Sequence, residues 1–105
     1  MIQAVNRDVF HAIAEPTRRS ILKMLLKEDM TPNTIAGKFA MSRQAVSRHV
    51  GVLADCGLLS QRQAGREIYY HLNTKKMKEV DKWLEPFRKI WEDKFAQLDD
   101  LLTEI

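Results

Sequence analysis

At 105 residues, with 45% hydrophobic and 30% charged side chains, the chain suits one domain with a modest core and is too apolar for a disordered segment. No run approaches the roughly 18 apolar residues of a membrane span, MIQAVNRDVF lacks the basic and apolar regions of a secretory leader, and the single cysteine, Cys56, excludes an intrachain disulfide or a Cys-x-x-Cys zinc pair, so a cytoplasmic protein with no membrane association, no structural metal and no cofactor is expected. Charge is uneven: residues 1–75 hold 11 of the 17 Lys/Arg but 6 of the 14 Asp/Glu, a net +5, against −2 for residues 76–105, which suggests a polyanionic partner for the body and another role for the tail.

Val9, Phe10 and Ile13 predict a short first helix, ended by Glu15-Pro16 because the residue before proline is driven from helical angles. Pro16 suits the first turn of a second helix, whose predicted buried stripe is Ile21, Leu22, Leu25 and Leu26. Thr31-Pro32 repeats the start signal, cap then proline, for a third helix through Ile35 and Ala36 to about Phe39. After a tight connection at Ala40-Met41, Ser42 is the cap candidate of a fourth helix, ended by Gly57. Two short helices joined by a few residues, the second capped and amphipathic, match a helix-turn-helix.

The period then changes. Leu58 to Gln63, a turn at Ala64-Gly65 and Arg66 to Leu72 predict a β-hairpin, with Ile68, Tyr70 and Leu72 on its buried side. The expected fold is therefore mainly α with a small β component: a winged helix-turn-helix whose wing tip is Arg62 to Arg66. From residue 75 the helical period returns, and Leu84, Phe87, Trp91, Phe95, Leu98, Leu102 and Ile105 repeat every three or four residues, widened by Val80, Trp83, Ile90 and Leu101. Pro86 predicts a kink or break near Glu85. So much apolar surface on one helix calls for a partner. We expect a single domain over 1–105, with a core over 7–74 and this long C-terminal helix over 75–105.

The fourth helix carries the functional signal. Val46, Val50 and Leu53 face the core, while Gln44, Ser47, Arg48 and Gly51 share the opposite side. A helix fits the major groove of B-DNA, where Gln pairs with adenine and Arg with guanine, so Gln44, Ser47 and Arg48 are base-reading candidates. Gly51 permits close approach. Ser42 and Arg43 at the helix start, with Arg62 and Arg66 of the wing, are candidates for the DNA backbone or a minor groove. His49 is expected on the shoulder of the core and Cys56 as a small buried hydrophobe. His11, His49 and His71 have no metal-ligand spacing, and Glu28-Asp29, Glu92-Asp93 and Asp99-Asp100 read as solvated charges. No nucleotide-binding or catalytic motif is present, so an enzyme is not expected.

The stretches FHAIAEPTRRSILKMLL, TIAGKFAMSRQAVSRHVGVLADCGLL and GREIYYHLN together resemble bacterial winged-helix repressors of the ArsR/SmtB type, over about residues 7–74. That resemblance implies a homodimer formed by the first and last helices, with Phe10, Leu84, Phe87, Trp91, Phe95, Leu98 and Leu102 at the interface. It also implies binding to a palindromic double-stranded operator, often the repressor's own promoter. Metal-sensing members carry a Cys-x-Cys where this chain has Thr31 and Asn33, and others place ligands on the last helix, yet residues 72–105 contain neither histidine nor cysteine. The resemblance therefore points to a metal-independent relative whose effector is open. Two other readings stand beside it: a winged-helix module whose aromatic tail binds another protein, and a repressor with an effector pocket between the dimer helices.

Overall fold

The computed structural model describes residues 8–103, so Ile105 and the outermost ends of the expected domain lie outside the described residues. Its elements are α1 (Val9–Ile13), α2 (Pro16–Leu25), α3 (Pro32–Phe39), α4 (Arg43–Asp55), β1 (Leu59–Ala64), β2 (Glu67–Leu72), a 3-10 turn (Thr74–Met77) and α5 (Lys78–Thr103). The helix starts follow from their caps. Asp8, Glu15, Thr31 and Ser42 each accept, through a side-chain oxygen, the backbone N–H three residues on, at 2.8, 3.0, 3.2 and 3.1 Å. Each such bond satisfies one of the donors that a helix start leaves open.

The ends are equally legible. Arg18 donates to the carbonyls of Ala12 and His11, and Arg19 to that of Ile13, so two guanidinium groups close α1 and fix it to α2. At the end of α4, Gly57 lies at φ +86°, Gly57 N–H donates to Ala54 and Leu58 N–H to Leu53, the paired bonds of a Schellman motif. Between α3 and α4 the turn is made by Ala40 at φ 52° and ψ 40°, a left-handed conformation that alanine adopts at a cost.

Val9, Ile21, Ile35, Val46, Val50, Leu53 and Leu58 are fully buried and join α1, α2, α3 and α4 to the base of the hairpin. Leu26 departs from the expected stripe: it follows the last turn of α2, where no element covers it, and is 65% exposed. The hairpin pairs Leu59 with Leu72 at its base and Ala64 with Glu67 at its tip. Its turn is therefore Gly65-Arg66, one residue later than expected. Gly65 alone has positive φ, the requirement of the first position of a II′ turn. Only Leu59 and Leu72 are buried in the two strands, and Ile68, expected inside, is exposed because the hairpin projects beyond the core. Met30, just before α3, exchanges both backbone bonds with Tyr70 (Met30 N–H to Tyr70 O 3.3 Å, Tyr70 N–H to Met30 O 2.8 Å) and adds a one-residue third strand.

α5 is continuous through Pro86, so no break forms near Glu85. Proline cannot donate to the carbonyl four residues back. Arg88 braces that stretch, donating to the Asp81 carboxylate at 2.6 Å, the Asp81 carbonyl at 2.8 Å and Glu85 at 2.6 Å. Near its start, Trp83 packs against Phe10 and Phe87, with ring centroids 5.7 and 4.9 Å apart. Beyond Phe87 the helix leaves the body, and no residue of α5 is buried. The radius of gyration is 18.6 Å, against about 13 Å for a compact chain of this length.

Candidate nucleic-acid interface

α4 is placed by its inner face. Val46, Val50 and Leu53 pack into the core at 0 to 1% exposure, and Ser42 fixes where the helix begins. Gln44, Ser47 and Arg48 consequently stand outward together. All three are exposed, and none has a side-chain hydrogen bond or ion pair with a described residue. Gly51, one turn further along the same side, has no heavy atom within 4 Å of where a Cβ would stand. The arrangement is a row of amide, hydroxyl and guanidinium donors and acceptors on a helix anchored from behind, ending in a position without a side chain.

Arg43 is also exposed, but its guanidinium donates to Asn33 Oδ1, linking the starts of α4 and α3. The Ser42 hydroxyl oxygen accepts from the Ala45 N–H, and its O–H remains to donate outward. His49 is half-buried, with Nδ1 3.4 Å from the Arg18 guanidinium, on the shoulder where α4 meets α2. Glu15 completes that corner, and the Arg18 backbone N–H it accepts holds its carboxyl below the ordinary value. Cys56 is buried and its thiol donates to the Leu53 carbonyl at 3.2 Å, the small-hydrophobe role expected of it.

The two wing arginines part company. Arg66 occupies the hairpin turn and is exposed, with no side-chain partner among the described residues. Arg62 sits inside β1, opposite Tyr69, and its guanidinium lies over that ring at 4.9 Å from the centroid. It also donates to Asp29 Oδ2 at 3.1 Å, while His71 Nδ1 stands 2.8 Å from Asp29 Oδ1. The expectation of a solvated Asp29 is thus corrected. Its carboxyl is three-quarters covered and is held below its ordinary value first by the hydrogen bond to His71, then by Arg62. Nothing local marks Asp29 in the sequence, because its partners lie 33 and 42 residues further on. A cleft of about 570 Å³, lined by Asp29, Asn33, Arg43, Arg66 and Tyr69 among others, separates the wing from α3.

Of the residues expected at an interface between copies, Leu84 is half-buried and Phe10 and Phe87 take part in the ring cluster with Trp83. Trp91, Phe95, Leu98 and Leu102 are 50 to 70% exposed. Among the described residues, no helix is long and apolar enough to cross a membrane.

Residues 13–62 match the family described as "Helix-turn-helix domain". The chain is 39% identical over 80 residues to the transcriptional repressor SdpR of Bacillus subtilis, covering 76% of this chain and 89% of that protein. It is 34% identical over 61 residues to a probable mercury resistance operon repressor of Streptomyces lividans, spanning 58% of this chain but about half (49%) of that relative. Among solved structures, an ArsR-like transcriptional regulator from Rhodococcus sp. RHA1 superposes with a TM-score of 0.68 at 30% identity, over 89% of this chain and 88% of that one.

Proposed function

Since the chain belongs to the ArsR/SmtB type of winged-helix repressors, a family of DNA-binding transcriptional regulators and not of enzymes, we propose that it is a homodimeric, sequence-specific repressor that acts without a metal. The observation that carries this reading is the outward row of Gln44, Ser47 and Arg48 on α4, exposed and uncommitted to any described residue. In the major groove such side chains meet base edges: the amide matches adenine and the guanidinium matches guanine, each through two bonds. Arg43 and Arg66, with the Ser42 hydroxyl, flank that row and supply phosphate contacts that set register without reading sequence. Arg62, expected to do the same, is engaged by Asp29 and belongs to the support of the wing.

A second copy accounts for α5. Its apolar residues beyond Phe87 lie on one side of a 26-residue helix that extends from the body, and pairing two such helices removes them from water. A two-fold pair presents two α4 helices to two half-sites, roughly 34 Å or a multiple apart, hence a palindromic operator. Metal independence is supported by Thr31 and Asn33 at the Cys-x-Cys positions of metal-sensing relatives and by the lack of histidine and cysteine in residues 72–105.

Selection of bound duplexes from a random pool, performed in a chelator at two salt concentrations, tests the proposal. A two-fold symmetric motif is expected, with log affinity falling linearly with log salt. Binding that recovers no motif and vanishes with salt refutes sequence reading. The exposed α5 stripe also fits the interaction-module reading, which predicts a monomer in sedimentation; a stable dimer refutes that alternative.

A further inference from the structure

We infer that Asp29 is a positioning residue that sets the angle of the wing against the recognition helix. The inference rests on the reading of the wing as a DNA contact. Arg62, Tyr69 and His71 occupy one face of the hairpin, since Arg62 pairs with Tyr69 and His71 follows two residues later. Asp29 reaches that face from the α2–α3 connection and engages both strands, Arg62 of β1 through Oδ2 and His71 of β2 through Oδ1. The next residue, Met30, pairs its backbone with Tyr70, and two residues later Pro32 opens α3. One short segment therefore joins the wing directly to the helix packed against α4.

The geometry gives the carboxylate this task because the hairpin has few other supports. Only Leu59 and Leu72, at its base, are buried, and every residue from Ser60 to Ile68 is exposed. Without Asp29 the outer part is held to the body through its base, the Met30 bridge and the half-buried Tyr70 at that bridge, all below the turn, so Arg66 samples a wider arc. The Tyr69 ring beneath Arg62 directs the guanidinium toward Asp29. A carboxylate on a surface that approaches DNA otherwise repels phosphate, so its presence there calls for a compensating role.

The competing account is that Asp29 merely screens Arg62. The two differ in sign. Asp29→Ala and Asp29→Asn, each with and without Arg66→Ala, are titrated across a salt series on the duplex that wild-type protein selects, and amide hydrogen exchange over residues 61–70 is followed without DNA. If Asp29 positions the wing, exchange in the outer hairpin rises about fivefold or more in Asp29→Ala while core amides of α4 are unchanged. Arg66→Ala, which removes one phosphate contact from each copy of the proposed dimer, then lowers the salt slope by about 1.8 in the wild-type background but leaves it unaltered in Asp29→Ala. Asp29→Asn, which keeps one acceptor oxygen, falls between. If Asp29 only screens Arg62, exchange is unchanged, its removal steepens the slope by about 1.8 as the Arg62 guanidinium of each copy takes a phosphate, and the Arg66 effect persists; that result overturns the inference. Should wild-type protein select no duplex, the DNA reading fails by itself and the exchange comparison decides the positioning role.

Discussion

Gly51→Ala separates what α4 needs as a helix from what it needs in its proposed role as the reader of DNA. Gly51 lies inside α4, five residues before the Cys56 cap, its φ is not positive, and a Cβ placed there meets no heavy atom within 4 Å. The methyl group therefore enters open space without strain, and the helix gains the propensity difference between glycine and alanine, about 0.8 to 1 kcal/mol. With a urea dependence of about 2 kcal/mol/M, the unfolding midpoint rises by about 0.5 M at fixed protein concentration. The same methyl stands on the side that carries Gln44, Ser47 and Arg48. Packed into the major groove it holds the helix away from the bases, and affinity for the selected operator is expected to fall about tenfold, or 1.4 kcal/mol. The expected signature is a more stable protein that binds less well. Gly37→Ala in α3, also with open space at its Cβ, provides the stability control. A Gly51→Ala protein that binds the operator as tightly as wild type refutes the groove-facing assignment of this side, and one that is destabilised refutes the reading of the open space.

Arg48→Ala is expected to cost about 1 to 3 kcal/mol per half-site and to relax preference at one base pair in each, whereas Arg66→Ala weakens all sequences evenly; competition titrations against single-base operator variants check both, and equal, sequence-blind losses remove Arg48 from the reading role. Phe95→Glu replaces a 70% exposed ring of the proposed dimer face with a charge. Losing burial of a phenyl ring, worth about 2 kcal/mol on each side, is expected to raise the dimer dissociation constant at least about 100-fold, visible as a monomer in sedimentation; an unchanged dimer refutes the assignment of α5. Asp29 predicts an acid dependence. Its carboxyl is lowered from 3.8 by His71 and Arg62, so its contribution to stability is complete above the unfolded value and is lost as pH falls through the lower folded value. The stability difference between wild type and Asp29→Asn, measured by urea at pH 5, 4 and 3, is expected to close toward pH 3; a difference independent of pH over that range refutes the role assigned to the charge.

Local chemistry made most of the framework legible. Thr31-Pro32 and Ser42 mark helix starts because a cap acts within three residues of itself, and each appears in the structure as a bond of that span; Pro16 marked the start of α2, while the Glu15 cap behind it is a finding of the structure. The outer row of α4 was legible for the same reason: its geometry follows from helical spacing once Val46 and Val50 are assigned inward. What was missed depends on distant partners. Leu26 continues the apolar spacing of α2, and only the absence of a covering element leaves it exposed. Asp29 resembles its neighbour Glu28, and its task arises from Arg62 and His71 meeting it in space. The hairpin turn was one residue off, although a signal existed: glycine belongs in the first place of a II′ loop, which favours Gly65-Arg66 over Ala64-Gly65. Ala40 carried no signal, since its left-handed conformation is imposed by the helices it joins.

The exposed ridge of α5 also has a consequence for dosage. If the proposed pairing through α5 holds, a reader of two half-sites exists only after two chains meet, and below the dissociation constant of that encounter the abundance of the pair varies with the square of chain concentration. Halving the copy number then lowers the number of competent readers about fourfold. Trp91, Phe95 and Leu98, far from the bases, would thereby turn a gradual change in synthesis into a sharp threshold of occupancy.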